Sequence, residues 1–160
     1  MFICRYSCSA LLEGQDLEAA LRDTIKEYQN HEECSERLTL ALELALSASD
    51  NDISRLGEGI GEEVLAISVY CALKHRDDFK KALIAAVNHD GDSDSRGAIT
   101  GNVLGVYLGI QMIPEDWDNG VEMREVLTQI ADDLHAANRG KDDWQRDTGI
   151  SRDFKVVEKL

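Results

Sequence analysis

Apolar residues recur along this chain at three- and four-residue intervals, the spacing that lines one face of an α-helix. Ile3 to Leu12 form the first such segment, and Gly14 is placed to stop it. Asp16 then stands as the cap of a second helix carrying Leu17, Ala20, Leu21 and Tyr28. A third, with Ser35 as its cap, sets Leu38, Leu42, Ala45 and Leu46 on one face, and SASDNDIS (47–54) follows as a polar loop. Beyond the glycine-rich LGEGIGEE (56–63), the stretch EEVLAISVYCALK (62–74) is apolar on nearly all sides, as a helix at the centre of a bundle must be. Asp77 is placed to cap the next helix, with Phe79, Leu83, Ala86 and Val87 pointing inward. From about Asp94 a helix of small residues runs to MIPEDW, where Pro114 opens a new turn or helix. The last clear stripe is Met123, Val126, Leu127, Ile130, Leu134 and Ala137.

No segment alternates with period two, so the pattern predicts an all-α fold, a compact multi-helix bundle. The domain is expected over 1–137. The polar, weakly periodic tail 138–160 is expected to be partly ordered or docked through Trp144 and Phe154.

Composition agrees. The chain has 160 residues, enough for one domain with a real core, and a single proline among abundant Ala, Leu and Glu. Its 31 acidic and 17 basic residues give a net charge of −14, which excludes non-specific binding to nucleic acid or to anionic membranes. No apolar run is long enough to span a bilayer, and MFICRYSCSALLEG lacks a small-residue cleavage site, so a cytoplasmic location is expected. Cys4, Cys8, Cys34 and Cys71 form no CxxC pair and no zinc spacing with histidine, and are expected to be reduced thiols, mostly buried.

Candidate chemistry concentrates in NHDGDSDSRGAITGN (88–102). Asp90, Asp92 and Asp94 open like a calcium-binding EF-hand, but that register puts Ser95 where the sharp turn needs glycine and Gly101 where glutamate must close the site. Two other readings of the same residues stay open. Asp92, Asp94 and Ser95 have the hard oxygens that Mg²⁺ or Mn²⁺ takes. Alternatively, Asp92 or Asp94 caps the helix that follows. In that helix Gly97, Gly101, Gly105 and Gly109 fall on one side, at ~1 kcal/mol each relative to alanine. Such a face predicts a neighbour packed closely against it. His31, His75, His89 and His135 are scattered, with His89 beside the aspartate loop, and no nucleophile elbow, phosphate-binding loop or dinucleotide fingerprint is present.

HDGDSDSRGAITGNVLGVYLG (89–109), preceded by LGEGIGEEVLAISVYCALKHRDDFKKALIAAVN (56–88) and followed by IPEDW, resembles the C-terminal half of the ADP-ribosylglycohydrolase family, the dinitrogenase-reductase-activating-glycohydrolase-like enzymes. The resemblance runs from roughly Leu11 to Ala137. It implies an all-helical fold, a binuclear Mg²⁺ or Mn²⁺ centre, and hydrolysis of the glycosidic bond in ADP-ribosylated side chains or other ADP-ribose conjugates. Asp92, Asp94 and Ser95 match the family's second ligand motif. Gly57, Glu58, Gly59 and Ile60, with Asp90 and Gly91, are implied as contacts to an ADP-ribose-type ligand, although a glycine-rich helix entrance is also plain turn chemistry.

The departures are equally specific. The family's Thr-Asp-Asp-type ligand set and its acidic catalytic residue have no counterpart here; the aspartate pairs present are Asp77–Asp78, Asp132–Asp133 and Asp142–Asp143. The catalytic residue therefore stays unknown. Arg96 stands where the resemblance leads one to expect a small or hydroxyl residue, and it is expected to pair with Asp90 or Asp92 and compete with a metal. Two functions follow as expectations. One is a hydrolase whose missing N-terminal half comes from a partner chain or a longer gene. The other is a non-catalytic helical remnant that dimerises over its exposed apolar face and at most binds a cation or nucleotide weakly.

Overall fold

The computed structural model describes residues 2–47, 53–57, 61–88 and 91–139, with only the backbone of 2–6 and 138–139. Among these residues there are eight α-helices and no strand. They are α1 (Phe2–Leu12), α2 (Leu17–Glu27), α3 (Glu32–Leu46), α4 (Glu62–Lys74), α5 (Phe79–Val87), α6 (Ser93–Leu108), α7 (Glu115–Gly120) and α8 (Arg124–Arg139), with a short 3₁₀ turn at Ile53–Leu56. The all-α expectation holds. None of the described helices is long and apolar enough to cross a membrane. The chain divides into two compact units between Glu115 and Asp116. Glu58, Gly59, Ile60, His89, Asp90, most of the SASDNDIS loop, and the tail with Trp144 and Phe154 lie outside the described residues.

Local chemistry sets the helix boundaries. After α1 the amides of Gly14 and Gln15 close back onto Leu11 and Ala10, at 3.0 and 3.1 Å, as expected of a glycine stop. Asp16 caps α2 by accepting from the Glu18 amide at 3.0 Å. The third helix begins earlier than Ser35, because the Ser35 amide already bonds to the His31 carbonyl at 2.9 Å. Glu32 and Glu33 favour that earlier start by placing anions in the first turn. The cap of α5 is Asp78, not Asp77: its carboxylate accepts from the Lys81 amide at 2.9 Å. Leu46 and Val87, expected inside, are exposed, while Leu44 is buried in Leu46's stead.

In the first unit α4 is the centre. Val64, Ala66, Ile67, Val69, Tyr70 and Leu73 are all buried, and α3, α5 and α6 pack around it. Side-chain pairings fix the directions. Arg37 meets Glu63 near the starts of α3 and α4, and Lys74 Nζ donates to the Ser47 carbonyl (2.8 Å) near their ends, so these two helices run the same way. Ser68 of α4 meets Arg96 and Thr100 of α6, and one turn on Ala72 shares a water-sized apolar cavity with Val103, so α4 and α6 are parallel too. Between them in sequence, α5 runs back, with Val87 beside Gly97 and Leu83 beside Gly101. The N-termini of α3, α4 and α6 therefore share one end of the bundle.

The glycine face of α6 is only half explained by packing. A methyl group added at Gly97 would meet Val87 Cγ1 at 3.0 Å, and one at Gly101 would meet Leu83 at 3.9 Å. One at Gly105 would meet nothing within 4 Å, and Gly109 lies beyond the helix as its C-cap. Among the described residues the close neighbour lies at the start of the helix and not at its end.

Candidate functional site

At the entrance to α6 the aspartate stretch is a helix cap and a carboxylate pair at once. Asp92 Oδ1 accepts from the Ser95 amide at 3.3 Å, which satisfies one of the orphan donors of the first turn. Interaction with the neighbouring Asp94 side chain foremost, and then with Ser95, draws the Asp92 carboxyl below its ordinary value of 3.8. Asp92, Asp94 and Gly91 are exposed, and Ser95 is half-buried. Of the two open readings of this segment, the cap is the one the structure shows, with Asp94 and Ser95 in the same first turn.

Beneath the loop lies Arg96, which is 0% exposed. Its Nε donates to the main-chain carbonyl of Asp92 at 3.0 Å, and its own amide reaches the same oxygen at 3.3 Å. The Arg96 carbonyl accepts from Ser68 Oγ at 3.4 Å, and the Ser68 carbonyl accepts from Thr100 Oγ1 at 3.3 Å. Of the expected competition between Arg96 and a metal, the structure describes one part: Arg96 Nε holds the main-chain carbonyl of Asp92, its charge helps to lower the Asp92 carboxyl, and Asp90 lies outside the described residues. Cys71 is near enough to feel that cation, but burial dominates and pushes its thiol up to about 12, so it stays protonated. Cys8, Cys34 and Cys71 form no disulfide.

The second predicted segment opens α4 at the same end of the bundle. Gly57 has φ +107°, and the Glu63 carboxylate sits directly against its Cα, where a side chain would have to be. Glu63 in turn pairs with Arg37 of α3 at 3.2 Å. Of the implied substrate contacts, Gly57 and Gly91 lie at the end where α4 and α6 begin, whereas Glu58, Gly59, Ile60 and Asp90 lie outside the described residues. Sequence reasoning missed the Arg37–Glu63 pair. No local signal could have found it, since the two residues are joined only by the parallel course of α3 and α4.

The oxygen donors of Asp92, Asp94 and Ser95 fit a hard divalent cation in kind, since such ions keep several waters and take few carboxylates from one segment. They do not form a full shell: among the described residues no three His, Cys, Asp or Glu side chains converge as a metal site.

Comparison with known proteins now adds a family. A family model described as ADP-ribosylglycohydrolase matches residues 3–144. ADP-ribosylhydrolase ARH3 of Homo sapiens is 27% identical over 105 residues, covering 59% of this chain and 29% of that protein. An uncharacterized protein of Archaeoglobus fulgidus is 33% identical over 120 residues, 74% of this chain and 37% of its own length. The ADP-ribosyl-[dinitrogen reductase] glycohydrolase of Rhodospirillum rubrum is 39% identical over 57 residues, 34% of this chain and 19% of that enzyme. The chain spans well under half the length of these curated relatives. No solved structure matches it.

Proposed function

Because the chain belongs to the ADP-ribosylglycohydrolase family, we propose that its α6 entrance is one part of a divalent-metal site at which an ADP-ribosyl bond is hydrolysed. The observation that supports this reading is the carboxyl pair, Asp92 at the cap and Asp94 in the first turn of α6, both open to solvent. Neighbouring carboxylates repel unless a proton or a cation lies between them. Bound Mg²⁺ or Mn²⁺ would supply Lewis acidity toward ribose hydroxyls and a water at an anomeric carbon that develops oxocarbenium character.

The chain's own residues have separable roles in this reading. Asp92 stays ionised through neutral pH and offers the oxygen not engaged by the Ser95 amide. Asp94 brings the second carboxylate. Ser95 brings a hydroxyl oxygen as a neutral donor to the ion, while its amide holds Asp92. The remaining donors of a binuclear centre come from Asp90 or from another polypeptide segment, in a longer chain, a partner or a second copy. An ADP-ribose-type ligand carries a diphosphate, which a chain of net charge −14 repels overall. The shared end of α3, α4 and α6 does not offset this by itself, since each of the three helices has acidic residues in its first turn, so in this reading the bound cation is what balances the diphosphate.

Calorimetric titration of Mn²⁺ into the chain, beside an Asp92→Ala, Asp94→Ala double variant, tests the proposal. Binding that the double variant loses is the expected result. Release of ADP-ribose from an ADP-ribosylated peptide by this chain alone would then show that the site completes itself. Binding without turnover would show one part of a site. Heats that are identical in the double variant would remove the metal reading and favour the non-catalytic remnant.

A further inference from the structure

We propose that Arg96 is the positioning residue of the carboxylate loop: its guanidinium, sealed in the seam between α4 and α6, pins the main-chain carbonyl of Asp92 and so fixes where the side chains of Asp92, Asp94 and Ser95 stand. The inference rests on reading that loop as the metal-binding loop of the preceding section.

Arg96 is the largest fully buried side chain among the described residues. Enclosing a guanidinium is unfavourable by several kcal/mol unless its hydrogen-bonding groups and charge are matched, so its place here calls for a use. The geometry supplies one. A helix cap is ordinarily held only by its side chain, and its carbonyl accepts a single amide. The Asp92 carbonyl accepts twice, from the Arg96 amide at 3.3 Å and from Arg96 Nε at 3.0 Å. The second bond is charge-assisted. Through the Arg96 carbonyl and Ser68 Oγ the same anchor reaches α4, and Thr100 Oγ1 closes onto the Ser68 carbonyl beside it. The loop is therefore tied to the most buried helix of the bundle and not only to its own.

A cation beneath a cation-binding loop would also repel the incoming ion. The two effects act through different media. The repulsion reaches toward the exposed face of the carboxylates, where water and salt screen it. The bond to the Asp92 carbonyl is part-buried and made by a side chain that is itself closed off from solvent, so it is screened less. Positioning is the larger effect, because ligands held in place beforehand do not pay for ordering when the ion binds.

Amide hydrogen exchange of the whole chain, read at Ser95 and at residue 96, tests this without any metal, since both amides bond to Asp92. Arg96→Met keeps the length and apolar stem and removes the donors. In that variant both amides should exchange at least about tenfold faster, equivalent to about 1.4 kcal/mol, with Val103 and Leu104 deeper in α6 unchanged. Mn²⁺ affinity, by calorimetry, should fall at least about tenfold in parallel. Arg96→Lys keeps the charge but not the planar donor; it should fall between, and it decides the matter if the methionine variant does not fold. Thr100→Val, which weakens the same seam without touching Asp92, should move neither readout. Unchanged exchange in the arginine variants, or an equal response in Thr100→Val, would overturn the proposal. A parent chain that binds no Mn²⁺ would instead remove the metal reading, and the exchange rates would still decide whether Arg96 fixes the loop.

Discussion

Helices α4 and α8 invert the usual relation between pattern and burial. The apolar residues of α4 are spread around the whole cylinder, and nearly all are buried between α3, α5 and α6. Those of α8 are gathered into a clean stripe, yet Leu127 is 53% exposed and Leu134 is 67% exposed. Periodicity reports which face of a helix would be buried if something covered it. It does not report whether anything does. In α4 the covering elements are adjacent in sequence and come with their own apolar faces. The stripe of α8 is exposed, and it is legible only as a helix.

The comparison is sharpest at Ile67, which is 0% exposed at the centre of α4. Ile67→Ala should lower the unfolding free energy by about 2–5 kcal/mol, the cost of lost burial plus an unfilled cavity. Urea titration followed by circular dichroism measures it, and a change below about 1 kcal/mol would mean that this centre is loosely packed.

How much of this the sequence disclosed depends on the range of the interaction involved. Caps and stops are local, and Asp16 and Gly14 were readable because their partners lie within four residues. The miss at Asp77 was a choice between neighbours, which only the bond to the Lys81 amide settles. The carboxylate loop was legible as chemistry because its three donors sit within four consecutive positions. Arg96 was visible as an oddity, but its use was not: an arginine one turn into a helix reads as solvent-facing or as a competitor for Asp92. Only the seam between α4 and α6 shows it buried and turned to the backbone. The Arg37–Glu63 pair required the parallel course of α3 and α4, which no short-range pattern contains.

A smaller effect is expected where the two kinds of signal meet, at Gly57. A side chain there would adopt φ +107° and displace the Glu63 carboxylate from its place beside Arg37. The carboxylate is the tip of a flexible side chain and can swing away, so backbone strain is the main cost. Gly57→Ala should therefore destabilise by about 1–2 kcal/mol, roughly half or less of the change at Ile67. A neutral result in the same urea titration would mean that the glycine serves close approach by a ligand and not the backbone of the turn.

The least change should come from α8. Leu134→Ala removes a side chain that is two-thirds exposed and replaces it with the best helix former, so lost burial and gained propensity nearly cancel. The expected change is within about 0.5 kcal/mol. Analytical ultracentrifugation of the parent and variant chains should be run beside the urea titration, because the stripe is the surface on which the contrast with α4 rests. A loss of about 2 kcal/mol or more would mean that Leu134 is covered in solution. If that loss came with a parent dimer that the variant weakens, the cover would be a second copy of the chain, and the exposed stripe of α8 would be a core position of the same kind as Ile67, completed by a partner.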